Sequence, residues 1–543
     1  MKACSSRGVI CTPHALASEA GMDQLDRGGS AIDAMLAASA MLSAVFPHMS
    51  GLGGDAFWLL HDPAQSSAPD QGVRTIVGVG QAGHQLPEGG RITLRGPASV
   101  ASTAGALASW KLAHEISQTE WGSNRSWKDL LSGAAETAEQ GVEPSISHLF
   151  WLGHRKPLIE TLPDLDEICR DANGQWLTPG SRFFQRDLAT TLRQLIASGI
   201  DDFYIGEIAH ELATAFDDIG CGLTLADLKA TRAFEAAPLS IRYREGRLFN
   251  TAPPSQGLYT LQAMGAVGQS ELSGLGNGTA AYFHQLVEAI KPALIRRNRQ
   301  LHDPAFRSSA AVRGWDYQHS LATAQLQAYA QAIDAEHAAP WPAIGQPADT
   351  VWMAATDEAG RTACLIQSLF HDFGSGCVLG DSGILWQNRA AGFNADAWHP
   401  NAWAPGKRPA HTLNPSCYLA DDGSRLFFGT QGGDGQPQTQ MVLASQLIDF
   451  STPVEAAIAM PRFLLGRSFF DGGDNLKLEA GVGEATIEGL KALGHDVEVL
   501  PQHNLFMGQA GIISIASNGR KEAVHDLRGQ INDNPLTSLG QAD

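Results

Sequence analysis

Residues 31–46 are the longest apolar run in the chain, and this run constrains what the remainder can fold into. It is interrupted by Asp33 and is too short to cross a bilayer, which takes about 20 apolar residues in a helix. A helix that is apolar on nearly every side must be covered by other layers, so the run reads as a core helix. The chain can supply that cover. Its 543 residues are 43% hydrophobic and 17% charged, a globular composition with room for several ordinary domains or one elaborate one. Residues 9–46 read as a short strand followed by small-residue helices able to pack closely.

The formal net charge of −19 favours solubility and argues against a nucleic-acid partner, which needs a basic surface. Seven cysteines (Cys4, Cys11, Cys169, Cys221, Cys364, Cys377 and Cys417) are scattered without a C-x-x-C pair. That pattern favours reduced, buried thiols over a disulfide framework or a thiolate zinc site. No apolar stretch near the start precedes a small-residue cleavage site, so the expected localisation is cytoplasmic, with no membrane partner.

Further along, residues 56–61 and 74–79 read as strands and residues 101–220 as mostly helical, with Asp187 expected to cap a helix over 188–197. Residues 241–249 read as one strand, Pro253-Pro254 as a turn, and 279–301 as a charged helix. Residues 308–347 are polar and alanine-rich, end in Pro340-Trp341-Pro342 and Gln346-Pro347, and read as a mobile arm. Strands follow at 350–356, 362–369 and 425–429. An exposed arm feeding a buried strand at Thr350 is what an internal processing site needs.

Several motif matches fail on context. Gly78-Val79-Gly80-Gln81-Ala82-Gly83 has dinucleotide-fingerprint spacing, but no helix follows and no acidic residue lies about 20 positions on. Gly380-Asp381-Ser382-Gly383 has the look of a serine-protease nucleophile loop and reads better as a turn between strands. His114-Glu115 lacks the second histidine of a zincin. The 18 histidines show no metal-ligand spacing, so no metal site is expected.

What survives is a set of motifs in a fixed order. They are Pro13-His14-Ala15-Leu16-Ala17-Ser18-Glu19-Ala20-Gly21, Gly28-Gly29-Ser30-Ala31-Ile32-Asp33-Ala34 and Pro47-His48-Met49-Ser50-Gly51-Leu52-Gly53-Gly54. Then come Asp202-Phe203-Tyr204-Ile205-Gly206, Ala252-Pro253-Pro254-Ser255, Asp303-Pro304, Phe373-Gly374-Ser375-Gly376, Lys407-Arg408-Pro409 and Gly432-Gly433. Together they resemble the γ-glutamyltransferase family over nearly the whole chain.

The resemblance implies an α/β fold, the αββα four-layer sandwich of N-terminal-nucleophile hydrolases. It implies one precursor, cleaved between Asp349 and Thr350 into chains 1–349 and 350–543 that remain one intertwined domain. These chains would form a heterodimer, with a dimer of heterodimers left open. Thr350 would be the nucleophile. A threonine hydroxyl needs a nearby base, and its own freed amine, with a reference pKa of about 7.7–8.0, would serve. Ser368 would orient the hydroxyl, and the backbone N–H groups of Gly432 and Gly433 would hold the oxyanion. No metal or organic cofactor is implied.

The family's clamp for the substrate's amino and carboxylate groups is not kept. Phe370 stands where an Asn is expected, Ala391-Gly392 where an Asp is, and His411-Thr412 where paired serines are. Residues 80–87 contain no arginine, and their one basic candidate is His84. Each charge-assisted hydrogen bond lost removes about 1.5–3 kcal/mol of recognition. The expected substrate is therefore a different small-molecule amide, carboxylate-bearing and oxamate-like, with Arg389, His411, Thr412, Phe370 and Gln436 as candidate binding residues. Gln438 is a weaker candidate, and Trp386 a second bulky wall. Left open are an authentic γ-glutamyltransferase or glutathione hydrolase, a glutaryl-cephalosporin-type acylase, and an unprocessed binding protein.

Overall fold

The computed structural model describes residues 2–5, 8–67, 70–306, 316–342, 350–467 and 473–529. Two antiparallel sheets form its centre. The first has six strands in the order β2 (Val9–Cys11), β8 (Val351–Thr356), β9 (Thr362–Ser368), β3 (Asp55–His61), β4 (Val73–Gly78) and β5 (Phe234–Ala236). The second has seven, in the order β1 (Lys2–Ser5), β16 (Lys521–His525), β15 (Ala510–Ile515), β11 (Arg425–Thr430), β10 (Ser416–Ala420), β7 (Gly246–Asn250) and β6 (Leu239–Tyr243). A small three-stranded sheet, β12 (Phe463–Gly466), β13 (Asn475–Glu479) and β14 (Val497–Leu500), lies apart from both.

The central strands β3, β8 and β9 are buried on both faces, and the two-residue period of a strand sorts their side chains into layers. Along β3, Phe57 and Leu59 enter the core between the sheets, whereas Ala56, Trp58 and Leu60 join the helical core outside. Along β15, Ile513 and Ile515 face the other sheet, and Ala510 and Ile512 face a second helical layer. The order of layers is helix, sheet, sheet, helix, the αββα sandwich. The 31–46 run forms the buried helix Ala31–Val45, capped at Ser30 with Asp33 closing a reciprocal capping box. Trp352 wedges between the sheets, and a Cβ on Gly429 or Gly511 would sit 2.2 or 2.1 Å from its ring, so only glycine fits at either point.

Strands from both sides of residue 350 alternate within one sheet, since β8 and β9 lie between β2 and β3. The positions flanking residue 350 therefore share a single core. Among the described residues no helix is long and apolar enough to cross a membrane. Cys11, Cys169, Cys221, Cys364, Cys377 and Cys417 are buried and free.

Three local expectations are corrected. Residues 241–249 are not one strand but part of the hairpin β6–β7, which turns at Arg244 with φ of 47°. Asp187 does not cap its helix. That helix spans Arg186–Ser198 with Gln185 at the cap, and Asp187 lies in its first turn, where a carboxylate favours the helix dipole. The arm is not loose over residues 316–342. It contains the helix Thr323–Gln331, and Trp341 Nε1 donates to Asp474 at 2.5 Å. Residues 307–315 and 343–349, Asp349 among them, lie outside the described residues.

Candidate active site

Thr350 immediately precedes β8 and is fully buried. Its Oγ1 donates to the carbonyl of Gln367 on β9 at 2.8 Å. The next residue of β9 is Ser368, whose Oγ accepts the Phe370 N–H at 2.8 Å. Across the sheet Ser368 pairs with Asp55, the first residue of β3. Thr350 and Ser368 thus meet at one end of two adjacent strands, as the strand pattern requires. Backbone packing fixes that end, because a Cβ on Gly54 would lie 2.4 Å from the Ser368 carbonyl.

Gly432 and Gly433 follow β11 and lead into the helix Gly435–Ala444. Their φ angles of 113° and 50° turn the chain in a way that suits glycine. The Gly433 carbonyl accepts from Gln256 Nε2 at 3.0 Å, and Gln256 also donates to the Thr412 carbonyl at 2.8 Å. Arg297 braces the same turn, reaching Asp434 through both terminal nitrogens at 2.6 and 2.8 Å and Gln256 Oε1 at 2.8 Å. A paired, bidentate arginine of this kind holds structure.

Beside this turn lies a cavity of about 150 Å³ whose lining includes Phe370, Arg389, His411, Thr412 and Asp434. Phe370 adopts φ of 82°, a conformation rare for a bulky residue and tolerated by the Asn expected in its place. The adjoining loop is held by Asp372, whose buried carboxylate accepts from Arg155 at 2.7 and 3.0 Å. The Arg389 guanidinium stacks on the Phe370 ring at 3.8 Å from its centre. Arg389 is buried, and among the described residues its Nε and one terminal nitrogen have no hydrogen-bond partner. Burial lowers its pKa to about 9, with the attraction of Asp55 and Asp434 opposing the shift, so it stays cationic at neutral pH.

His411 is held at both ends of its backbone. Its N–H donates to the Pro254 carbonyl at 2.7 Å, and its carbonyl accepts from the Gln256 N–H at 2.8 Å. Its Nε2 lies 3.2 Å from Asp55 Oδ2. Burial lowers the imidazole to about 4, partly offset by that hydrogen bond, so the ring is neutral at pH 7.

The remaining candidates divide. Gln436 is fully buried with both amide heteroatoms unpartnered among the described residues, but it does not line the cavity. Gln438 is structural, donating to the carbonyls of Asp434 and Leu465 and accepting the Leu465 N–H. Trp386 is wholly buried against Phe203 and Phe216 and is not a cavity wall. His84 points away into solvent on Asp227. Asp55, Gln256, Arg297 and Asp434 escaped the sequence reading. Asp55 directly follows Gly53-Gly54, Gln256 follows Pro253-Pro254-Ser255 and Asp434 follows Gly432-Gly433, so nearness to those motifs was the available signal.

Histidine spacing also missed a buried group, His284, Glu288 and His495, whose ligand-type atoms converge. Those atoms are already engaged. His284 bonds His495 at 2.8 Å and the Asp334 carbonyl at 2.7 Å, and Glu288 takes Lys291 at 2.6 Å and the Ala339 N–H at 3.0 Å. An ammonium so close to the carboxylate disfavours a cation there, and the network ties residues 334–339 to the helix Ala280–Gln300.

The chain is 39% identical to the oxamate amidohydrolase proenzyme of Klebsiella pneumoniae subsp. pneumoniae over 96% of its length and 97% of that protein's. It is 34% identical to the glutathione hydrolase-like YwrD proenzyme of Bacillus subtilis, with the same coverage of 96% and 97%. Among solved structures, the cephalosporin acylase of Bacillus halodurans superposes with a TM-score of 0.84 at 26% identity, covering 97% of this chain and 95% of that one. These relatives are enzymes, and the sandwich is that of N-terminal-nucleophile hydrolases. The gamma-glutamyltranspeptidase family model matches residues 17–534, and the chain belongs to that family.

Proposed function

We propose that the chain is a precursor that cleaves itself between Asp349 and Thr350, and that the resulting pair of chains hydrolyses a small amide bearing a carboxylate. Arg389 carries the substrate reading. A buried guanidinium with unpartnered nitrogens is costly unless an anion arrives to pair with it, and Arg389 lines a cavity of only about 150 Å³. Ligand pockets for drug-sized molecules are commonly about 300–1,000 Å³. The small volume favours a compact oxamate-like acid over glutathione or a cephalosporin, and the name of the Klebsiella relative points the same way.

In this reading the Thr350 hydroxyl attacks the amide carbonyl, and its freed amine takes the proton. Ser368 steadies the hydroxyl, and the N–H groups of Gly432 and Gly433 meet the developing oxyanion. The amine then passes its proton to the leaving nitrogen, and the acyl-threonine ester is hydrolysed by water that the same amine activates. Arg389 holds the carboxylate, with Phe370 as a wall beneath it and Thr412 beside it. Burial of Thr350 fits a nucleophile still covered before cleavage. The free thiols fit a reducing, cytoplasmic setting.

The test is intact mass under denaturing, reducing conditions, alongside ammonia release from oxamate. Two chains, one beginning at Thr350, are expected from the wild type, and one whole inactive chain from Thr350→Ala. A single chain from the wild type overturns the mechanism. Correct cleavage with no turnover of small carboxylate-bearing amides overturns the substrate.

A further inference from the structure

The proposed function leaves His411, which lines the cavity and faces Asp55, without a role. Asp55 is fully buried, and its Oδ1 accepts from the N–H groups of Gly80 and Gly105 at 2.8 and 2.9 Å and from Gln387 Nε2 at 3.0 Å. Three donors thus occupy one carboxylate oxygen and leave the other to face the cavity wall. Its Oδ2 faces His411 Nε2 at 3.2 Å, so Nε2 must carry the proton. In a neutral ring, Nδ1 is then a bare lone pair. His411 Nδ1 is buried and without a hydrogen-bond partner among the described residues, although the residue lines the same cavity as Arg389.

We infer that His411, locked by Asp55, is a specificity residue that accepts a hydrogen bond from the N–H of the substrate's scissile amide. The inference rests on the proposed function. Of the buried polar side-chain atoms of the lining, those left without a partner among the described residues belong to the cation Arg389 and the acceptor His411, a pair complementary to a compact molecule with a carboxylate at one end and an N–H-bearing amide at the other. A site built around an unpaired acceptor rejects compounds that leave it unpaired. Primary amides that release ammonia satisfy it. Esters and tertiary amides of the same acid do not. His411 does not act there as a donor, because its donor nitrogen is spent on Asp55.

The experiment compares oxamate with monomethyl oxalate, an ester with the same acyl group and the same charge but no N–H. The kcat/KM of each is measured for the wild type, His411→Leu and His411→Gln, all as processed enzyme confirmed by mass. The amide-to-ester ratio is expected to fall about tenfold or more in His411→Leu, the size of a lost buried hydrogen bond. It should recover in part in His411→Gln, whose side-chain carbonyl can accept. A ratio unchanged in His411→Leu, with both compounds slowed alike, overturns the inference and leaves a structural histidine. Failure of the wild type to turn over either compound instead strikes the substrate reading, and this inference falls with it. Should His411→Leu not mature, the wild-type N-methyl series decides, and N,N-dimethyloxamate must be the poorest substrate relative to oxamate. Equal wild-type turnover across that series overturns it.

Discussion

The floor and the wall of the site are built differently. The proposed floor, Thr350, Ser368, Gly432 and Gly433, adjoins the cavity without lining it and sits at strand ends and in one glycine turn, set by strand pairing and backbone hydrogen bonds that Gln256 and Arg297 brace. The wall, comprising Phe370, Arg389, His411 and Thr412, consists of side chains from separate loops. Chemistry carried by backbone geometry survives wide sequence drift because most substitutions leave the backbone where it is. Recognition carried by loop side chains changes with each substitution. On the proposed function, this is how a chain would keep a family's reaction while its charged clamp is replaced.

The sharpest way to break this contrast is to disturb the floor through its backbone. Gly432→Ala places a Cβ at φ of 113°, a region that is essentially glycine-only. Nothing crowds the position, since the nearest heavy atom would be 3.6 Å away, so the damage is conformational and moves the N–H. Turnover is expected to fall about 10²–10³-fold, the cost of losing one oxyanion donor. Gly423→Ala, at φ of 86° in an open turn, serves as control and should lower thermal stability while kcat is kept. Equal kinetic losses in the two variants would show that the floor is not special.

Next in size is the wall. Arg389→Met should reduce kcat/KM for a carboxylate-bearing amide by about 10- to 150-fold, mainly through KM, the equivalent of about 1.5–3 kcal/mol for a charged hydrogen bond. Self-cleavage should proceed normally, because it draws on the floor alone. Melting temperature should rise, since replacing a buried unpaired cation with an apolar side chain removes its desolvation cost. Kinetics, mass and a thermal melt on one preparation test all three. Loss of cleavage together with activity would merge floor and wall into one unit.

The same division governs what the sequence could reveal. Thr350 and Ser368 were reached through the family resemblance and not through periodicity, since β8 and β9 are buried along their whole length; their pairing as neighbours is what sets the two residues at one end. The buried 31–45 helix was legible from its apolarity alone. The Asp55–His411 contact was not, because the two residues lie 356 positions apart and neither shows a periodic signal. Arg297–Asp434, 137 positions apart, was hidden for the same reason. The β6–β7 hairpin was missed since it turns at Arg244-Glu245, with none of the Asn or Gly residues that normally mark a two-residue turn. Residues 334–341 looked loose because their anchors, His284, Glu288, Lys291 and Asp474, come from elsewhere in the chain.

The effect expected to be smallest on turnover, and felt in stability instead, concerns the helical layer beneath the floor. His48 and His148 are buried and stacked with ring centres 4.9 Å apart, and His14 is partly buried nearby. Burial holds His148 at about 3 and His14 at about 4, and lowers His48 well below its ordinary 6.5. In each case the folded pKa lies below the unfolded one, so between the two the unfolded chain binds more protons and stability rises with pH. The histidines' full contribution is therefore present above about pH 6.5 and is lost as pH falls towards 3. One such group changes stability by at most about 1.4 kcal/mol per pH unit in that window. His148→Phe should flatten the fall of melting temperature between pH 6.5 and pH 4, while the amide-to-ester preference set by the wall stays as in the wild type. An unaltered acid slope would mean that carboxylates such as Asp526, held low by Arg462 and Arg528, govern acid unfolding instead.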